Sequence, residues 1–411
     1  MCIGSDKNQN ILIGGKMNKN NFNKWVTVWG NAMSISDRRP ENYARNLTLR
    51  YPIFNIFNGS AIRVTLDNFT GTEAVTIAKV VVAKMPGYAD NKLKFPGDKI
   101  ESQTLTAVTF AGKKSVTIEP GKDVVSDEIK FDVNEHEWFA VSLYLEDFTQ
   151  MRSSVIITGP LSGGYYSVGD FTESSSLPLS QTRATSSYYF LSGVDVLTEE
   201  KNHALVCYGD SITAQAWPDE LTQRLVNEGI KNVSVVRKAT SGSRVLREYD
   251  NITYESYGVK GLTRFPREVK VAGVKNVIFQ HGINDIIHPV GVEVNPFRPW
   301  SDLPSTQDLI AGLTFYADKA HEIGLKVWGG TLLPIYGWRT YAPFRDELRN
   351  EINNWIKTTD KIDGVIDFDK AVCDEKMPQM FADGFDSGDH LHPSALAYKA
   401  MAQIIPEELL R

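Results

Sequence analysis

The sequence predicts an all-β sandwich followed by an α/β unit whose parallel sheet is sandwiched by helices. Three observations carry this. Up to about residue 200, apolar residues alternate with a period of two and no window sustains a 3.6-residue period. Beyond about residue 203, short β-branched runs alternate with amphipathic helical patterns, the arrangement that builds a parallel sheet. The length of 411 residues, at roughly 150 per domain, suggests two or three domains rather than one compact core.

The first 21 residues are rich in Asn, Lys and Gly and are expected to lie loosely ahead of Trp25. Strands are predicted where the alternation is cleanest, at 62–66, 115–119 and 140–145. Gly59-Ser60, Pro86-Gly87, Pro96-Gly97 and Pro120-Gly121 break the runs at short intervals, as turns between strands do. This assigns 22–195 to a sandwich. A Ser-, Gly- and Thr-rich stretch at 161–187 and the apolar segment that follows lead to a change of character at 195–203, so 196–411 is assigned to the α/β unit.

In that unit, strands are predicted at 204–208, 233–236, 276–279, 326–328 and 365–368, and helices at 217–227 and about 347–356. Ser305 with Asp308 three residues on opens another helix carrying Leu309, Leu313, Tyr316, Ala320 and Ile323, and Gly324 closes it. A last helix is placed at Pro393, a residue suited to a first helical turn.

Composition narrows the function. The hydrophobic fraction of 42% with 23% charged residues is that of a globular protein and rules out disordered and fibrous architectures. Lys+Arg 44 against Asp+Glu 50 gives a net charge of −6, which offers no basic field for nucleic acid or anionic lipid. The three cysteines, Cys2, Cys207 and Cys373, are too scattered for a disulfide framework and fit a reducing compartment. The N-terminus lacks a secretory pattern and no apolar run approaches the roughly 20 residues needed to span a bilayer, so a cytoplasmic location without membrane contact is expected.

Gly209-Asp210-Ser211 directly follows the first strand of the α/β unit, which puts Ser211 at a strand's carboxyl end, where such sheets place ligands. A serine there is more often a turn or helix cap, so its neighbours decide. Near the C-terminus, Asp389 stands three residues before His392, and Pro393 restrains His392 to an extended conformation. Asp389 can then set the imidazole tautomer and steady the cation formed when the ring takes the serine proton. Asp389, His390 and His392 also have the types of a zinc set, but no other Cys/His cluster offers a fourth ligand and His288 lies in a different loop. A metal is not expected. Gly242, after the second strand, lets its backbone N–H approach a substrate oxygen, and Asn284, after the third, carries a carboxamide that can donate to an oxyanion.

Together the segments Gly-Asp-Ser, Gly, Gly-x-Asn-Asp and Asp-x-x-His, in this order, resemble the SGNH hydrolases, also called the GDSL family of esterases and lipases, over about residues 200–411. The resemblance implies an SGNH-type, flavodoxin-like sheet. It implies Ser211 as nucleophile, His392 as general base and Asp389 as its orienting partner, with oxyanion donors from the Ser211 and Gly242 N–H groups and the Asn284 side chain. Ester hydrolysis by such a set requires no metal or organic cofactor. Ile212 stands where the family name has Leu, and Ala239 where many members have a first Gly. No Gly-x-Ser-x-Gly surrounds Ser211, so the nucleophile elbow of α/β-hydrolases is not indicated. Residues 25–196 look like the jelly-roll-like β-domain that precedes the hydrolase in a bacterial subgroup associated with xylan-degrading esterases.

The loop 286–304, with His288, Pro296, Phe297, Arg298 and Trp300, is expected to overhang the site. Trp217, Trp338 and Tyr341 either stack on a sugar ring or pack in the core. Asp210, Trp217, His288, Trp300 and Trp338 are thus the candidate substrate-shaping residues. The expected activity is a serine esterase that deacetylates plant-type carbohydrates such as xylo-oligosaccharides. The alternatives are a broad short-chain carboxylesterase or lysophospholipase, and a carbohydrate-binding protein on a vestigial hydrolase scaffold. The expected partner is an acylated carbohydrate or other small ester, and a homo-oligomer is left open.

Overall fold

In the computed structural model, which describes residues 22–35, 42–87 and 93–411, the period-two alternation of the first half becomes antiparallel sheet. The expected loose segment 1–21, and Cys2 with it, lie outside the described residues. One sheet runs in the order Phe22–Gly30, Leu191–Glu199, Gly59–Asp67, Asp123–Val125, and Ile129–Val133 also pairs with Gly59–Asp67. A second sheet has the order Arg183–Thr185, Gly164–Val168, Leu47–Asn55, Glu137–Leu145, Lys79–Lys84, Thr106–Ala107. Ile129–Val133 shows the cause of the pairing. Ile129, Phe131 and Val133 are buried while Lys130 and Asp132 are exposed, because successive side chains point to opposite faces of a pleated strand. Ile62, Val64 and Leu66 of the first sheet and Leu49, Ile53, Val141 and Leu143 of the second join one buried cluster.

The expected division at 195/196 falls inside the strand Leu191–Glu199, whose alternation and pairing with Phe22–Gly30 continue past it. The expectation of separate cores is also corrected, since one contiguous buried cluster runs through both halves of the chain. The strand Phe22–Gly30 joins them. The Thr27 N–H donates to the Ala272 carbonyl at 2.9 Å, and Ser234 Oγ donates to the Thr27 carbonyl at 2.6 Å.

The second half is a five-stranded parallel sheet of β1 (His203–Gly209), β2 (Val233–Ala239), β3 (Val274–Gln280), β4 (Lys326–Gly330) and β5 (Gly364–Ile366), in the order β2-β1-β3-β4-β5. This is the flavodoxin-like doubly wound order, and its direction reverses at β1, between β2 and β3. The crevice at such a reversal is where these sheets bind ligands, outside the carboxyl ends of β1 and β3. Its helices are α1 (Ser211–Ala214), α2 (Trp217–Asn227), α3 (Gly261–Glu268), α4 (Ile283–Ile287), α5 (Thr306–His321), α6 (Pro343–Thr358), α7 (Phe368–Val372) and α8 (Ala395–Gln403). The Ser305/Asp308 capping box opens α5 as the spacing predicts.

Several boundaries differ, three of them for a local reason. Helix α6 begins at Pro343 rather than 347, because proline's fixed φ suits the first helical turn. Helix α8 begins at Ala395, not at Pro393: Ser394 Oγ accepts from the Ala397 N–H as the cap, and Pro393 pairs with Asp386. Strand β5 stops at Ile366 because Asp367 turns to cap α7, accepting from the Lys370 N–H at 3.2 Å. Helix α3 was not expected, since Pro266 lies inside it. Among the described residues, no helix is long and apolar enough to cross a membrane.

Candidate active site

At the carboxyl end of β1 the chain must turn sharply into α1, and Gly209 permits it. A Cβ there would come within 2.4 Å of the Gln280 carbonyl oxygen and 2.5 Å of Thr213 Oγ1. Asp210 then caps α1, its Oδ1 accepting from the Ile212 N–H at 3.1 Å, which sets Ser211 as the first residue of the helix. Asp210 is 1% exposed, and burial pushes its carboxyl up to about 7, with Asp285 nearby adding to the rise. It therefore positions the serine from below. Its burial puts it beneath the serine rather than on an exposed substrate-shaping wall.

Ser211 Oγ lies 2.8 Å from His392 Nε2, and His392 Nδ1 lies 2.6 Å from Asp389 Oδ2. A carboxylate only accepts, so Nδ1 carries the hydrogen and Nε2 is left to accept from the serine hydroxyl. The loop folds around Asp389, whose Oδ1 takes the N–H of Leu391 at 3.0 Å and of His392 at 2.9 Å. Burial pushes the Asp389 carboxyl up, but these N–H groups and the imidazole together hold it below its ordinary value. The Ser387 N–H donates to the His392 carbonyl at 3.0 Å, and Pro393 bridges Asp386, so the loop closes on itself. His390 does not join this pair. Its Nδ1 lies 2.5 Å from Asp386 Oδ2, so the two alternating histidines serve two different carboxylates.

Gly242, after β2, has φ +79°, a left-handed conformation that glycine adopts without a Cβ penalty. A Cβ there would also fall 2.2 Å from the Tyr257 ring. Asn284, in the first turn of α4, is 3% exposed and donates from Nδ2 to the Ser243 carbonyl at 3.0 Å, which leaves its second amide hydrogen free to point elsewhere. Asp285 takes the N–H groups of Val245 at 2.7 Å and Leu246 at 3.0 Å, so one α4 turn holds the 240–246 segment by two adjacent side chains. Burial pushes the Asp285 carboxyl up to about 6, although its two N–H partners oppose this.

Residues 205–405 match the family model of GDSL-like lipases and acylhydrolases. The C-terminal half is a GDSL-like acylhydrolase domain. Solved structures similar to it include a putative acylhydrolase from Bacteroides fragilis, at 17% identity over 52% of this chain and 90% of that chain with a TM-score of 0.37. An acetyl xylan esterase from Geobacillus stearothermophilus is 16% identical over 51% of this chain and 94% of that chain, with a TM-score of 0.37. A GDSL-like lipase from Bacteroides thetaiotaomicron is 18% identical over 50% of this chain and 87% of that chain, with a TM-score of 0.36. A search of curated proteins finds no match.

In this GDSL domain the substrate-shaping expectations fare unevenly. Trp217 is 0% exposed, donates from Nε1 to Thr213 Oγ1 at 3.3 Å and packs on Phe368, so it is core and no sugar ring reaches it. His288 is buried as well, packed on Tyr257 at 5.1 Å between ring centroids with the rings tilted by 31°, and burial among Arg298, Arg244 and other arginines keeps it neutral. It supports the ring that covers Gly242 and is not itself an exposed wall. Trp300 is exposed, tied by Nε1 to Glu293 at 2.9 Å and edge-on to Phe344. Trp338 is half-buried under Arg339 and follows Gly337, whose missing side chain makes room for the His390 ring. Tyr341 packs edge-on against the exposed Tyr336.

Several residues of the site were not singled out in the sequence. His281, fully buried, faces the Ser243 carbonyl from Nε2 at 3.1 Å and Tyr316 Oη from Nδ1 at 3.0 Å, and burial lowers its pKa to about 3. Arg264 donates to Ser243 Oγ at 3.1 Å while pairing with Glu268 at 2.7 Å. Asp285 was visible as the neighbour of Asn284, but His281, Arg264 and Tyr257 carry no local sequence signal. They converge on Ser243 and Gly242 only when α3, α4 and the turn at 255–257 come together.

Proposed function

We propose that the protein is a serine esterase that removes acetyl groups from plant-type carbohydrates such as xylo-oligosaccharides. The observation that carries the hydrolytic part is the unbroken line from Ser211 Oγ to His392 Nε2 and from His392 Nδ1 to Asp389 Oδ2, at 2.8 and 2.6 Å. His392 takes the Ser211 proton as Oγ bonds to the acyl carbon, and the carbonyl oxygen becomes an oxyanion. The N–H groups of Ser211 and Gly242 and the free Asn284 amide hydrogen donate to it. Collapse of this intermediate expels the alcohol, which takes its proton from His392 and leaves an acyl-serine. Water then gives a proton to His392 and attacks the same carbon, and collapse of this second intermediate releases the acid as His392 returns that proton to Ser211 Oγ.

The carbohydrate part is supported by exposed aromatic surface on the two loops that follow β3 and β4. Phe297 and Trp300 on one and Tyr336 on the other present rings to solvent, flat apolar faces of the kind a sugar ring stacks on. The test is acetate release from an acetylated xylo-oligosaccharide and from 4-nitrophenyl acetate, in wild type and Ser211→Ala. Activity on both, lost in the variant, is the expected result. Activity on the aryl ester alone moves the reading to a broad short-chain esterase, and activity that survives in Ser211→Ala removes the serine mechanism.

A further inference from the structure

The wall of the Gly242 turn is built by a short segment that the N-terminal sandwich holds. Arg152 of the sandwich grips Glu255 with both ends of its guanidinium, Nη1 to Oε1 at 3.0 Å and Nη2 to Oε2 at 2.8 Å, and both side chains are largely buried. Its Nε donates to the Thr70 carbonyl at 3.1 Å, so the fork is fixed from the sandwich side. Such a two-point pair constrains direction as well as distance.

Glu255 begins the 3-10 turn Glu255–Tyr257. At one end of the turn the Tyr257 ring fills the space where Gly242 lacks a side chain. Directly after Tyr257, Gly258 has φ +79° and is wedged so closely that a Cβ would lie 2.5 Å from Ser34 Oγ of the sandwich and 2.9 Å from Thr240 Cγ2. The turn is therefore clamped between Ser34 and Arg152 on one side and Thr240 and Gly242 on the other. The nucleophile helix is touched from the sandwich too, the Thr158 N–H donating to the Ala214 carbonyl at 3.2 Å.

We infer that the N-terminal sandwich is an intramolecular brace for the oxyanion turn, and that Arg152 and Glu255 are positioning residues acting through Tyr257 on the Gly242 N–H. This rests on the esterase reading given above. An oxyanion donor works only if it is already aimed where charge develops, so a turn that rocks by a fraction of an ångström loses kcat while substrate binding is little changed.

The experiment uses the full chain as wild type, Arg152→Ala, Glu255→Ala, the exchanged pair Arg152→Glu with Glu255→Arg, and Lys231→Ala. The last removes another bridge between the halves, Lys231 Nζ to Glu135 at 2.7 Å, and serves as the control. Two readouts are taken: kcat and KM on 4-nitrophenyl acetate, and amide hydrogen exchange over residues 240–246. Each single variant at the fork is expected to lower kcat roughly tenfold with KM nearly constant and to speed exchange in that segment. The exchanged pair should recover much of both, and Lys231→Ala should change neither. Unchanged exchange in Arg152→Ala overturns the brace whatever the activity, and faster exchange with full kcat overturns its catalytic relevance. A wild type with no esterase activity would fail the esterase reading alone, since the exchange measurement still decides whether the sandwich holds the turn.

Discussion

Asn284 Nδ2 donates to the carbonyl oxygen of Ser243 at 3.0 Å, so the side chain proposed as the third oxyanion donor is anchored on the segment that carries Gly242, the second. Loss of Asn284 would remove a donor and also leave the Ser243 carbonyl facing His281 Nε2, at 3.1 Å, without its second partner. Asn284→Ala is expected to lower kcat by about 10² to 10³ on an acetyl ester, with the circular dichroism of a folded chain. Turnover close to wild type would sink the oxyanion role.

Asp389→Asn should be the most informative change at the histidine. An amide in place of the carboxylate can donate to Nδ1 and so favours the tautomer whose Nε2 carries a hydrogen, the wrong one for accepting from Ser211. A drop in kcat on the order of 10⁴ is expected, comparable with what the same substitution does in serine proteases. A burst of 4-nitrophenol of wild-type rate in this variant would show that Asp389 does not set the tautomer.

Trp217 separates packing from recognition. Because the ring is fully buried against Phe368, Trp217→Ala is expected to cost about 3 to 5 kcal/mol of stability, seen as a lower denaturation midpoint. Trp217→Phe keeps most of the volume and should leave KM for an acetylated oligosaccharide unchanged. A clear rise in KM with the fold intact would restore Trp217 to the substrate site.

Asp210 predicts a pH dependence of stability. Burial raises its folded pKa to about 7, while in an unfolded chain it titrates near 4. Between those values the native state keeps a proton that the unfolded chain has released. Stability from this group is therefore full below about pH 4, falls as pH rises to 7, and changes no further above it. Asp210→Asn stays neutral throughout and still accepts from the Ile212 N–H. Its stability relative to wild type should improve from pH 4 to pH 7 by up to about 4 kcal/mol, and urea midpoints at the two pH values measure it. A difference that does not move with pH would mean Asp210 is ionised in the fold.

By itself the sequence determined the order of the two architectures, the parallel strands, the capping box at Ser305 and the segments bearing Ser211, Gly242, Asn284, Asp389 and His392. These are local properties: period-two or period-3.6 burial, a cap three residues from its partner, a short motif at the end of a strand. The 2.8 Å approach of His392 to Ser211 spans 181 positions of chain, and only the folding of α8 against α2 and α7 brings it about. Whether Trp217 and Asp210 meet solvent, and which ring covers Gly242, were likewise decided by packing. Burial depends on what arrives from elsewhere in the chain, and no residue type announces its neighbours. The same holds for the join between the halves. Nothing local to Arg152 or Glu255 marks them as partners, and the length suggested separate cores. The docking of Phe22–Gly30 beside β2 helps carry one buried cluster through both halves, because apolar faces left open by each half are buried most favourably against each other.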